Sequence, residues 1–125
     1  MEFVDSPAFS RLLSAYLDDD GYKALQINPA LHPEAGRLMP GTGGFRKIRW
    51  ADARRGKGRR SGLRVIYYYF PREHQVWLMT LFDKDEASDL SPKQKQALKA
   101  AVEAELKARD AARERRHGKS GRTRP

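Results

Sequence analysis

The chain has 125 residues, with 25 Lys and Arg against 16 Asp and Glu, a net charge of +9 and no cysteine; its pI is near 10.1 and its mean hydropathy is -0.79. That length supports one modest core. The lack of cysteine excludes disulfides, thiolate catalysis and cysteine-based zinc sites, and no run approaches the roughly 18 apolar residues of a membrane span. So positive a balance favours nucleic acid, the ribosome, an anionic membrane surface or an acidic protein. The start MEFVDSPAF lacks the regions of a signal peptide, so the expected compartment is the cytoplasm.

Taken in order, Phe3 and Val4 suggest a short first strand. Ser6-Pro7 reads as a helix start, with Ser6 as N-cap and Pro7 at the first helical position. Phe9, Leu12, Leu13 and Tyr16 follow at amphipathic spacing. Asp18-Asp19-Asp20 ends that helix and caps a second one through Tyr22, Leu25 and Ile27, which Pro29 and Pro33 are expected to shorten or kink. Arg37–Gly44 reads as a turn-rich approach to two strands, Phe45–Trp50 and Leu63–Phe70, joined by a glycine-rich basic loop. Gln75–Phe82 is nearly continuous in apolar residues and reads as a third strand, covered on both faces and central in the sheet. Ser91-Pro92-Lys93-Gln94 combines a Ser cap, a proline at the first position and a capping-box Gln. Leu98, Val102 and Leu106 then recur every four residues. The expected class is α+β, with N-terminal helices and a C-terminal helix packed on a small antiparallel sheet. Residues 1–108 form the domain, and 109–125 a basic, disordered tail.

Nine Lys and Arg fall between Phe45 and Arg64, with Asp52 the one acid among them. Strand alternation puts Lys47 and Arg49 on one face and Ile48 and Trp50 on the other; in the partner strand Arg64, Ile66 and Tyr68 share a face. Pairing the two strands gathers Lys47, Arg49 and Arg64 into one cationic patch. Three cations on one sheet face repel one another unless an anion lies between them, and that points to phosphate. Tyr68 on the same face could stack on an RNA base or pack against a helix.

Such a patch has the services for RNA cleavage through the ribose 2′-OH. A lysine crowded by cations approaches the base range, and planar arginines suit the oxygens of a dianionic phosphorane. Lys47, Arg49, Arg64 and Lys84 could supply these roles. The Gly41–Gly44 segment lacks the GK[ST] of a P-loop and reads as a tight turn. His32, His74 and His117 lack ligand spacing, and Asp83, Asp85, Glu86 and Asp89 lack the spacing and glycine of a calcium loop. No metal and no cofactor is expected.

The segments PGTGGFRKIRW, the Gly-Lys-Gly basic loop, GLRVIYYY and LFDKDEASDLSPKQKQALK resemble the RelE/ParE toxin superfamily, specifically its HigB-like branch, over roughly residues 1–106. His32-Pro33-Glu34-Ala35-Gly36 fits that branch's Asn-Pro-x-x-Gly segment loosely. The resemblance implies a microbial-RNase-like fold and the toxin of a type II toxin–antitoxin system. It also implies metal-free, ribosome-dependent cleavage of mRNA in the A site, and neutralisation by a cognate antitoxin, a helix-turn-helix DNA-binding protein with an acidic segment. The catalytic set implied is Lys47, Arg49, Arg64 and Lys84. Arg46, Arg54, Arg55, Lys57, Arg59, Arg60 and Tyr68 are the expected RNA contacts. Two departures stand out: Ser91 lies where RelE has a catalytic tyrosine, and Phe82 where this branch often has tyrosine. A ParE-like gyrase inhibitor and a non-catalytic RNA-binding module are the alternatives.

Overall fold

The computed structural model describes residues 1–50, 62–83 and 89–122, with side chains as far as residue 116. In chain order the elements are β1 (Glu2–Asp5), α1 (Pro7–Tyr16), α2 (Asp19–Leu31), β2 (Arg37–Leu38), β3 (Arg46–Trp50), β4 (Leu63–Phe70), β5 (Gln75–Asp83) and α3 (Pro92–Arg122). The described residues form an α+β chain with three helices and a five-stranded sheet of order β1-β5-β4-β3-β2. The chain divides into two compact units. One comprises Met1–Pro40 with Gly44–Leu90; the other takes in Gly41–Gly43 and the chain from Ser91 onward.

The sheet of the first unit is mixed, not antiparallel. β1 runs parallel to β5, with Phe3 opposite Val76 and Asp5 opposite Leu78. Parallel neighbours need a long crossover, and both helices and the β2–β4 segment lie between these two strands. Ser6 fixes the exit from β1. Its hydroxyl donates to the Met79 carbonyl at 2.5 Å and accepts from the Phe9 amide at 3.0 Å, so the same residue caps α1 and ties it to β5. Asp18 caps α2 by accepting from Gly21 N at 2.7 Å. Pro29 lies inside α2 and is buried, and the helix runs on only to Leu31. So late in the helix, its missing donor removes a single bond from the last turn.

Phe9, Tyr16, Leu17 and Leu25 from the helical segment pack with Ile48, Leu63, Val65, Tyr67, Val76, Leu78 and Leu81 from one face of the sheet. The central strand is β4, buried over most of its length, rather than β5, whose burial alternates. A register shift sits in the β4–β5 ladder: Ile66 pairs with Thr80 but Tyr67 with Leu78, which leaves Met79 as the extra residue. Without that bulge Leu81 and Asp83 would lie on the face opposite Val76 and Leu78; with it, all four are buried. An apolar run cannot announce such a shift, because it reads as core in either register.

The approach to β3 holds a short strand that turn-rich composition hides. Pro33 sits in a turn in which Ala35 N donates to His32 O at 3.0 Å. Buried Tyr67 pins this turn: its hydroxyl donates to Pro33 O at 2.8 Å and accepts from Gly36 N at 3.0 Å. A Cβ on Gly36 would lie 2.7 Å from the Tyr67 ring and hydroxyl, so the close approach requires glycine. From there β2 pairs with β3, Arg37 opposite Lys47 and Leu38 opposite Arg46.

In the second unit the capping box forms as its sequence implies, Ser91 N donating to Gln94 Oε1 at 2.8 Å and Gln94 N to Ser91 Oγ at 3.2 Å. Gly43, at φ +76, would place a Cβ 3.2 Å from Val102, which is why the turn passes α3 on a glycine. Val102 is buried but Leu106 is exposed. A step of four residues drifts roughly 40° around a helix, so the every-fourth stripe leaves the buried face. The chain expected to be disordered from 109 is helical as far as Arg122. Ala, Arg, Glu and Lys are strong helix formers, and Glu105–Arg109 and Asp110–Arg113 pair along this stretch.

Gly36→Ala is expected to destabilise the protein by about 1–3 kcal/mol through overpacking. Tyr67→Phe should lose about as much by stranding the buried Gly36 amide; denaturant titration measures both. Burial pushes the Tyr67 hydroxyl above its usual range, and burial with the hydrogen bonds to Asp5 does so for Tyr22. A raised folded-state value means that this stability is complete below about pH 10 and is lost as pH climbs further. Midpoints measured from pH 8 to 11 should fall above pH 10, and less steeply in Tyr67→Phe and Tyr22→Phe.

Candidate nucleic-acid interface

The register of β3 on β4 decides which cations meet. Arg49 lies directly opposite Arg64, Lys47 opposite Ile66, and Ile48 opposite Val65 in the core. Directly opposed residues hold their Cβ atoms about 4.5–5.5 Å apart. Lys47, Arg49 and Arg64 therefore share the sheet face opposite the helix-packed core, and Arg37 joins them as the cross-strand neighbour of Lys47.

Arg64 is not a surface cation. It is 4% exposed on the central strand, and its Nη1 donates to the Gly62 and Leu63 carbonyls at 3.4 and 3.3 Å. Burial lowers its proton affinity first and the positive charge of Arg49 lowers it further, while Asp83 acts the other way. An arginine stays charged despite such a shift. The result is a fixed, partly desolvated charge beside an exposed one, Arg49. Phe82 is the cross-strand neighbour of Arg64 on β5 and brings no hydroxyl to it.

Lys47 Nζ lies 3.8 Å from Asp89 Oδ1, with side chains 21% and 43% exposed respectively. Asp89 also accepts from the Leu90 amide at 2.8 Å. Among the acids that lack calcium-loop spacing, this carboxylate is the one the fold brings to the cationic face as a counter-ion. An incoming phosphate must compete with it.

Arg46, an expected RNA contact, has a structural engagement. Its Nη1 donates to Glu34 O and Gly36 O, both at 2.8 Å, and so braces the turn that Tyr67 pins. Adjacent residues in a strand point to opposite faces, which separates Arg46 from Lys47. Tyr68 is half-buried in an aromatic row, its ring centroid 5.3 Å from Phe45 and 4.7 Å from Phe70, and Phe70 lies 5.2 Å from Trp77. Its ring is thus engaged in edge and tilted contacts within the protein. Lys84 and the loop cations Arg54, Arg55, Lys57, Arg59 and Arg60 lie outside the described residues.

β2 is two residues long and pairs only with Arg46 and Lys47. Beyond its end, along the edge of β3, a cleft of about 500 Å³ opens, lined by Lys47, Ile48 and Arg49 and, from the preceding segment, by Asn28, Gly36 and Arg37. No acidic residue is among its described lining residues. Arg37 carried a turn reading in the sequence. Asn28 had no sequence signal at all, because only the return of the chain from α2 to the sheet edge places it there.

No protein-family model matches this chain. Among the described residues no three His, Asp or Glu side chains are grouped to hold a metal ion, and no helix is long and apolar enough to cross a membrane. What the arrangement offers is a cationic face with Arg64 buried, Lys47 half-buried, and Arg37 and Arg49 exposed.

Asp89→Asn removes the competitor of an incoming anion. It should tighten binding of a short single-stranded oligonucleotide by up to about fivefold, the scale of an exposed ion pair, as read by fluorescence anisotropy at low salt. Arg49→Ala should weaken the same binding and flatten its logarithmic salt dependence by about 0.7, the value for one phosphate contact on a single strand.

Proposed function

We propose that this protein is an mRNA endoribonuclease that acts on the ribosome, the toxin of a type II toxin–antitoxin pair of the RelE/ParE superfamily, HigB-like branch. The observation that carries the reading is the register that sets Arg49 opposite Arg64 with Lys47 on the same face. The α+β class and the sequence resemblance are compatible with it. In this reading Arg49 and Arg64 hold the scissile phosphate. As the ribose 2′-oxygen attacks phosphorus, negative charge builds on the equatorial oxygens, where two guanidinium groups are most effective. The P–O5′ bond then breaks, leaving a 2′,3′-cyclic phosphate and a 5′-hydroxyl. The Asp89 counter-ion fits Lys47 for electrostatic activation of the 2′-OH, whose proton passes to solvent water as the oxygen attacks, and Lys84 is the candidate for protonating the departing oxygen. The loop from Arg54 to Arg60 would face ribosomal RNA. A cognate antitoxin would lay an acidic segment on the cationic face, and cytoplasm is the compartment this activity needs.

A second reading, a non-catalytic RNA-binding module, is favoured by the engagement of Lys47 with Asp89, which occupies the group best placed to move a proton. Translation of one defined mRNA in a purified system, with 5′ ends mapped, separates the two. Cuts at A-site codons that require ribosomes are expected, reduced about 10²- to 10³-fold in Arg49→Ala and in Lys47→Ala. Because Arg64 is buried, its test is Arg64→Lys, which keeps the charge and loses the fork. Binding without cutting would support the RNA-binding module. Intact mRNA with impaired supercoiling would instead indicate gyrase inhibition.

A further inference from the structure

Among the described residues only two charged side chains are buried, and their signs are opposite: Arg64 is 4% exposed and Asp83 is 0% exposed. Each would be costly alone, because a desolvated charge needs compensation. Arg64 belongs to the cationic face; Asp83 has no part in the proposed reaction. The β4–β5 register sets Asp83 opposite Leu63, one step from Arg64. Alternation assigns the two side chains to opposite faces, yet both stand at the end of the sheet, where β4 begins and β5 stops. The guanidinium of Arg64 turns back toward that end, Nη1 donating to Gly62 O at 3.4 Å and to Leu63 O at 3.3 Å. Those bonds are long, and a neutral carbonyl leaves the arginine's charge uncompensated. Burial and Arg49 both disfavour that charge, while Asp83 favours it.

We infer that Asp83 is a positioning residue for Arg64: its buried carboxylate holds the guanidinium at the start of β4, oriented in advance for a phosphate that also meets Arg49. A planar donor fixed beforehand loses less freedom on binding than a mobile one. Asp83 differs in this from Asp89, whose side chain is 43% exposed and competes with an incoming anion. A carboxylate closed to solvent supports the cation without being open to the anion. The inference rests on the nuclease reading only for the reaction that Arg64 serves.

The test is made on the full chain. In proton–nitrogen spectra a buried arginine shows a side-chain Nε–H that exchanges slowly with water, and Arg64→Lys identifies this signal by deleting it. Asp83→Asn keeps the shape and removes the charge. It is expected to shift the signal and to speed its exchange at least about tenfold, the scale of one charged contact. Asp83→Glu restores the charge and should recover part of the protection. In the translation assay Asp83→Asn should cut the defined mRNA about 10- to 100-fold more slowly with KM unchanged, as befits an arginine that is misaligned but still charged. A residue with a structural role alone would lower the melting midpoint and leave both readings unmoved in the folded fraction.

A folded Asp83→Asn variant whose Arg64 signal stays in place overturns the inference, whatever the protein cuts. So does a signal that moves while the cleavage rate does not. A signal that moves in a protein that cuts nothing keeps the hold of Asp83 on Arg64 and removes the nuclease. Should Asp83→Asn fail to fold, the double variant Asp83→Asn with Arg64→Met decides. Removing both charges should restore folding, since an unpaired buried cation costs more than the absence of the pair. A double variant that also fails to fold overturns the pairing.

Discussion

The antiparallel register of β3 on β4 governs both halves of the first unit. Because side chains alternate with a period of two, a slip of one residue would carry Ile48 out of the core and Lys47 and Arg49 into it. The pairs Ile48–Val65 and Trp50–Leu63 make that slip prohibitive, since it would bury two unpaired cations. Hydrophobic burial on one face thus sets the geometry of charge on the other. The bulge at Met79 extends the same logic to β5: it keeps Leu81 and Asp83 on the buried face and turns Phe82 toward Arg64.

Arg46 and Arg49 lie three positions apart in one strand and serve different ends. The guanidinium of Arg46 donates to two backbone carbonyls and braces the Pro33–Gly36 turn, together with Tyr67. Arg49 meets another arginine across the ladder, with exposure to solvent. Arg49 adds to the cost of the buried Arg64 charge, and Asp83 offsets part of it. The turn held by Arg46 and Tyr67 in turn positions Gly36 and Arg37 in the wall of the cleft, so a structural hydrogen-bond network shapes it.

Much of the fold could be read from local chemistry. The Ser6 and Ser91 caps, the Asp18 cap, the strands at β3, β4 and β5, and the glycine turn before β3 all have short-range causes. The cationic face was equally legible, since alternation alone places Lys47 with Arg49 and Arg64 with Ile66. What escaped were contacts between residues far apart in the chain. β2 is too short for any periodicity, the parallel partner of β1 lies across two helices, and the bulge in β5 falls inside a uniformly apolar run. The roles of Arg46 and Asp89 escaped for a related reason, because a charged residue reads the same whether it faces water, a carbonyl or another charge.

The amino-acid sequence by itself determined the composition of the site: which cations lie on which face of which strand, and that no thiol takes part. Those features depend on the polarity of each side chain and the two-residue period, both local properties. Only the tertiary structure decided how the charges are placed in energy. It buried Arg64, gave Lys47 the Asp89 counter-ion, turned Arg46 to a backbone brace and brought Asn28 to the cleft. Each of those outcomes is a matter of solvent exclusion and of distances between segments remote in sequence, and neither exists until the chain has closed on itself.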